Sequence, residues 1–234
     1  MKTRILMVLI TLFGCSKPNK TDTVIIFDQT DKRTPLDKTA VFKLYKNIDH
    51  GKITFTEITD QSITSSKTIA KQKSTPYITR VESQEREKDK KYKADFLSAV
   101  DHYNDFSTEL EHSYVFSILS DQLIRLSRSK ASERSILVIG DMCENTPQMN
   151  MYGYRENPIR ILEEYELIVE ILEGHYPNLK DADLSGITLS VVYHPSKEDD
   201  QLLRYVREFW SRYLQSKQVQ IEFVTSLENS SLNL

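Results

Sequence analysis

The sequence predicts an α/β domain built on a doubly wound, mostly parallel sheet of about six strands with helices on both faces. Three observations carry that prediction. The run VIIF at 24–27 is apolar at every position, which marks a strand buried on both faces, and such strands belong to parallel sheets covered by helices. A second run, SILVIG at 135–140, repeats the pattern, and the two runs end on aspartates, Asp28 and Asp141. Stretches with apolar residues at helical spacing alternate with short β-rich stretches, the order expected of right-handed crossovers between parallel strands.

The N-terminus departs from that body. Lys2 and Arg4 precede an apolar run at 5–13 that is too short to span a bilayer as a helix, the pattern of a secretory signal. LFGC at 12–15 resembles the bacterial lipobox, in which the cysteine after the glycine is acylated and begins the mature chain. That resemblance implies a signal peptide over 1–14, a lipid anchor on Cys15, a short polar tether over 15–22 containing Pro18, a domain over 23–225 and a polar tail over 226–234. Ser16 is unlike an acidic inner-membrane retention signal, so the outer membrane is the preferred site. With Cys15 lipidated, Cys143 has no partner for a disulfide; following a buried strand directly, it reads as a packed cysteine.

Along the chain, residues 37–48 carry Val41, Leu44, Tyr45 and Ile48 at helical spacing, with Gly51 as the glycine past the helix end. KITFTEIT at 52–59 alternates as a strand, 76–81 is a second short candidate, and the polar stretch 60–74 between them reads as a loop; two strands without an intervening helix pair antiparallel at one edge. The charged run 83–93 enters a helix carrying Phe96, Leu97, Val100 and Tyr103, its acids and bases spaced to pair along the solvated face. Ser113 stands where it caps the next helix, which carries Val115, Ile118, Leu119, Leu123 and Leu126. After Asp141 comes a long loop, 144–157, then a helix opened by Pro158 and closed by Gly174. ITLSVVY at 187–193 is a strand, 197–216 a helix whose apolar face includes Trp210, and 218–224 the last strand. No segment after the leader is long and apolar enough for a membrane helix.

In an open α/β sheet the ligand site lies beyond the carboxyl ends of the strands, which is where Asp28 and Asp141 stand. The element order and these two strand ends resemble a von Willebrand factor type A domain, whose metal-ion-dependent adhesion site is built on a DxSxS motif. Asp28, Thr30 and Lys32 fall on the motif positions, Ser113 corresponds to the family's later threonine, and Asp141 to its strand-end aspartate. The resemblance implies an early antiparallel strand and Mg²⁺ or another divalent cation held by Asp28, Thr30, Ser113 and Asp141. It also implies a protein partner that completes the coordination. An all-oxygen set with one or two carboxylates suits such a cation. Lys32 departs from the motif, since an ammonium cannot ligate a cation, and that departure is the evidence for an alternative: a structural lipoprotein without a metal site.

A second resemblance belongs to another class. FDQTD at 27–31 and VIGDMCEN at 138–145 are similar to the first and last motifs of haloacid-dehalogenase-type phosphatases, which implies Asp28 as nucleophile and Asp141 as a metal ligand. Thr30 stands where most such enzymes carry a second aspartate, and Asn145 occupies the last motif position. The expectation adopted is therefore a protein-binding lipoprotein rather than an enzyme. With 31 basic against 34 acidic residues, nothing in the charge balance calls for nucleic acid. Met149, Met151, Tyr152 and Tyr154 make the loop after Asp141 unusually apolar, which suits a partner contact; the alternative is that they fold back over the sheet.

Overall fold

The apolar run 24–27 lies within strand β1 (Lys20–Asp28), and β1 lies inside the sheet, with every residue after Lys20 buried. In a computed structural model of the chain the described residues are 20–30, 37–46, 48, 50–60, 65–72, 82–104, 110–193 and 200–227. The other strands are β2 (His50–Ile58), β3 (Ser66–Lys71), β4 (Glu133–Ile139), β5 (Ile187–Val192) and β6 (Gln220–Val224). They form one six-stranded sheet in the order β3-β2-β1-β4-β5-β6, parallel throughout except for the antiparallel pair β2–β3. The expected doubly wound, mostly parallel sheet is thus the fold of the chain, with its antiparallel strand early, as the von Willebrand factor A resemblance implied.

Side-chain alternation along the inner strands feeds two cores. Val24 and Ile26 of β1, with Ile136 and Val138 of β4, face the helices α3 (Val115–Ser127), α5 (Tyr165–Gly174) and α6 (Asp200–Ser216). Ile25 and Phe27, with Leu137 and Ile139, face α1 (Lys38–Tyr45) and α2 (Glu82–Asn104). Trp210 is fully buried in the first core, the role its place on the apolar face of its helix suggests. The described residues contain no helix long and apolar enough to cross a membrane.

Several boundaries differ from expectation, each for a local reason. The antiparallel partner of β2 is β3 at Ser66–Lys71, inside the stretch read as a loop; as an edge strand it buries only Ile69, so it shows no apolar period. The candidate strand 76–81 lies outside the described residues. Asp37 is the N-cap of α1, accepting from Thr39 N at 2.8 Å. His50 and Gly51 open β2 instead of ending α1: a Cβ at Gly51 would sit 2.2 Å from the Thr21 carbonyl oxygen, so the strands approach this closely only at glycine. The helix after Pro158 is two, α4 (Arg160–Glu163) and α5, broken at Glu164, whose carboxylate receives Arg160 and the Tyr154 hydroxyl.

Lys20, Thr21 and Asp22, assigned to the tether, are strand. The signal peptide, Cys15, the rest of the tether, Lys32 and the tail beyond Leu227 lie outside the described residues. Asp22 is completely buried at the start of β1, its oxygens receiving Arg125 at 3.0 Å, Ser129 at 2.6 Å and Lys52 at 3.2 Å. These charge-assisted bonds draw β1 past its apolar run and tie it to α3 and β2. Asp22→Ala is expected to lower unfolding stability by about 2–3 kcal/mol, because it strands those donors. Urea denaturation at neutral pH measures the change.

Candidate functional site

The parallel register sets the site. Phe27 lies opposite Ile139, so Asp28 comes level with Gly140, and Asp141 follows one residue beyond. A Cβ at Gly140 would lie 2.4 Å from the Asp28 Cβ and 3.0 Å from its Oδ2, so the absent side chain is what makes room for the carboxylate. Asp28 is 0% exposed, and its Oδ1 accepts from Thr30 N at 2.9 Å and from Thr30 Oγ1 at 2.6 Å. This is an Asx turn, which brings two of the expected site residues together by local chemistry alone.

Asp141 repeats the device, its Oδ1 accepting from Cys143 N at 2.8 Å. Between them Met142 has φ of 63°, left-handed backbone that disfavours a side chain other than glycine's. The turn is held from outside: Trp210 Nε1 donates to the Met142 carbonyl at 2.7 Å, and the Met142 side chain is fully buried. The other oxygen of Asp141, Oδ2, accepts from the Tyr152 hydroxyl at 2.5 Å. Burial, followed by the charge of Asp141, pushes the Tyr152 phenol up, so it donates and stays neutral. Cys143 is buried as expected, and burial pushes its thiol well up too.

Ser113 is not the cap of α3. The cap position is Tyr114, which makes no side-chain cap bond, and Ser113 instead forms a β-bridge with Asn145: Ser113 N to Asn145 O at 2.8 Å and the reverse at 3.0 Å. The Asn145 Nδ2 donates to the Glu111 carbonyl at 2.9 Å, pinning the same segment again. The Ser113 hydroxyl is buried and has no hydrogen-bond partner among the described residues. The helix is capped by Glu144, whose Oε2 accepts from Phe116 N at 2.7 Å. Glu144 is 3% exposed, and burial pushes its carboxyl up to about 8, against the downward pull of the Phe116 and Val115 amides. The nearby charge of Asp28 pushes in the same direction as burial.

Two of the residues expected at a partner surface are not on the surface. Met149 and Met151 are packed in the first core at 5% and 0% exposure. The loop folds back because its backbone closes a small ladder, Thr146 N to Met149 O at 2.7 Å and Met151 N to Glu144 O at 2.9 Å, which turns both methionines inward. Tyr152 and Tyr154 are half-buried, their hydroxyls on Asp141 and Glu164. Asp28, Thr30 and Asp141 therefore stand at adjoining strand ends, with Ser113 pinned to the loop that leaves Asp141. Sequence reasoning missed Glu144 and the bond from Tyr152 to Asp141. Among the described residues no group of three or more His, Cys, Asp and Glu side chains is arranged to hold a metal ion, so a cation here would rely on hydroxyls beside the two aspartates.

No protein-family model matches the chain, and no curated protein matches it. Two solved structures are similar over most of its length. One is an aerotolerance-related membrane protein from Bacteroides fragilis, crystallised with multiple mutations to serines, at 10% identity and a TM-score of 0.40 over 91% of this chain and 93% of that one. The other is the N-terminal domain of TFIIH p34, at 10% identity and a TM-score of 0.33 over 91% of this chain and 92% of that one. Likeness at this level carries over no ligand, partner or activity.

The buried acid sets a pH dependence. The carboxyl of Glu144 is raised on folding, so the folded state holds its proton where the unfolded chain releases it. Its contribution is therefore absent below about pH 4.5, becomes a growing penalty as pH rises toward about 8, and is constant above that. Glu144→Gln, which keeps an acceptor for the α3 amides, is expected to remove this slope, on the order of 1 kcal/mol per pH unit within the window. Urea midpoints measured across that range for both proteins give the comparison.

Proposed function

We propose that the chain is a lipid-anchored protein of the cell envelope whose von Willebrand factor A-like domain binds another protein. The binding face is the carboxyl end of the sheet, where Asp28, Thr30, Ser113 and Asp141 hold a divalent cation such as Mg²⁺. The observation that carries the reading is the Ser113 hydroxyl: buried, without a hydrogen-bond partner among the described residues, and fastened to the loop that follows Asp141. A buried hydroxyl left in that state is costly unless something meets it. Two carboxylates at adjoining strand ends and two hydroxyls make an oxygen-only set, which suits a hard cation. When bound, such an ion offers its remaining coordination positions to an acidic group of a partner.

Binding is favoured over chemistry by the state of the nucleophile candidates. Asp28 is fully buried with Oδ1 holding Thr30, and burial keeps Cys143 from ionising. The partner face includes Tyr152 and Tyr154, which stay half-exposed, while Met149 and Met151 are buried in the first core against which both tyrosines pack. Membrane attachment rests on the lipobox-like LFGC and Cys15, with the outer membrane as the destination its Ser16 favours.

Titration of the purified full chain with Mg²⁺ or Mn²⁺ is expected to give one-site binding and a rise in Tm, with Asp28→Ala weakening the metal by at least about tenfold. A wild-type chain that shows neither heat of binding nor a change in Tm sinks the metal assignment. In bacterial cells, Cys15→Ser is expected to move the chain from the membrane fraction to the soluble one and to abolish incorporation of labelled palmitate. A variant that stays in the membrane speaks against the anchor.

A further inference from the structure

A cleft of about 310 Å³ opens beside the first turn of α3, where Glu144 caps the helix. Three aromatic side chains, Tyr114, Phe116 and Tyr176, wall it, and Ile171 and Leu172 extend the apolar surface toward the end of α5. Phe116 and Tyr176 meet edge to face at 5.6 Å between centroids, and the Tyr176 hydroxyl shares a hydrogen bond with Ser117, so the wall is preformed. Glu144 is the one acid in this lining, and among the described lining residues the one basic side chain is the imidazole of His175, with no lysine or arginine. Asp121, one turn further along α3, is a second carboxyl near the same wall: both it and Glu144 act electrostatically on Tyr176.

We propose that this cleft binds an alkylammonium group, with Glu144 taking the charge and the aromatic and aliphatic walls taking the stem. The chemistry is selective on each count. An ammonium gains from a carboxylate and from aromatic faces, whereas a carboxylate or phosphate in the same place meets Glu144 and Asp121. The Phe116 amide is already occupied by Glu144, so the helix terminus offers an anion no advantage there. The volume admits a four- or five-carbon stem, and clefts of this size are ordinary for small ligands. Burial pushes the Glu144 carboxyl up, and an ammonium beside it favours the ionised form, so binding and ionisation of Glu144 support each other. The ammonium is the end of a free amine or of a lysine side chain on a partner. The metal reading plays no part in this inference.

The test tracks the backbone amide of Phe116 by NMR in the purified full chain, with chelator present so that the outcome is independent of divalent metal. The probes are n-pentylammonium and N-acetyl-lysine N-methylamide, each compared with its neutral isostere, 1-pentanol and N-acetyl-norleucine N-methylamide. Each cation is expected to bind at least about tenfold more tightly than its isostere, and Glu144→Gln is expected to shrink that preference to about twofold without altering the circular dichroism spectrum. Gln148→Lys, a change at an exposed residue of the rim, is expected to weaken the cations about fivefold by placing a competing charge at the mouth. Tighter binding of the free amine supports a small-molecule source, and tighter binding of the lysine derivative supports a partner side chain. Equal binding of cation and isostere, absence of binding at millimolar concentration, or a preference that survives in Glu144→Gln overturns the proposal.

Discussion

The site depends on β1 being held from four directions at once. Its backbone is bonded to β2 on one side and β4 on the other, and its side chains enter separate cores above and below the sheet. Each of Val24, Ile25, Ile26 and Phe27 is fully buried, and burial of a side chain of that size contributes about 1.5–3 kcal/mol. Asp22 fixes the start of the strand with the same economy of motion, through bonds to α3 and β2. The carboxylate of Asp28 is therefore located by a ladder and two cores, and only its side-chain torsions remain to be set by Thr30.

Such rigidity crowds the acids together. Asp28, Asp141 and Glu144 are brought close enough that the charge of Asp28 bears on Glu144, Cys143 and Tyr152. The chain meets this with donors of its own: Asx turns at both aspartates, the α3 amides at Glu144 and a neutral phenol at Asp141. Left-handed backbone at Met142, which costs about 1–2 kcal/mol for a residue with a side chain, is part of the same arrangement and persists because Trp210 and the core hold the turn. Buried polar networks of this kind specify one arrangement when each member is satisfied, and the Ser113 hydroxyl is the member that lacks a partner among the described residues.

The sheet was readable from the chain because buried parallel strands announce themselves as unbroken apolar runs, and β1 and β4 could be placed to within a few residues. β3 could not, since an edge strand with one buried residue, Ile69, has the composition of a loop. At the site, Asp28, Thr30 and Asp141 were visible because strand ends are local features. Ser113 reads as a cap because the group that does cap α3, Glu144, lies 28 residues beyond Phe116 and reaches the helix only through the fold. Met149 and Met151 posed the opposite problem: an apolar loop has the same sequence whether it faces a partner or its own core, and the backbone ladder of that loop decided between them.

The bond from Trp210 to the Met142 carbonyl also gives the protein a built-in optical reporter. Trp210 is the only tryptophan in the chain, and its indole nitrogen donates directly to the strained turn that carries Asp141. Emission excited selectively from that ring arises from one place, packed beside Phe209 and Phe116 and one hydrogen bond away from the turn that carries the strand-end carboxylate. Any rearrangement of the turn changes the polarity and quenching around the indole, so the loop's conformation can be followed by fluorescence without attaching a dye or altering a residue.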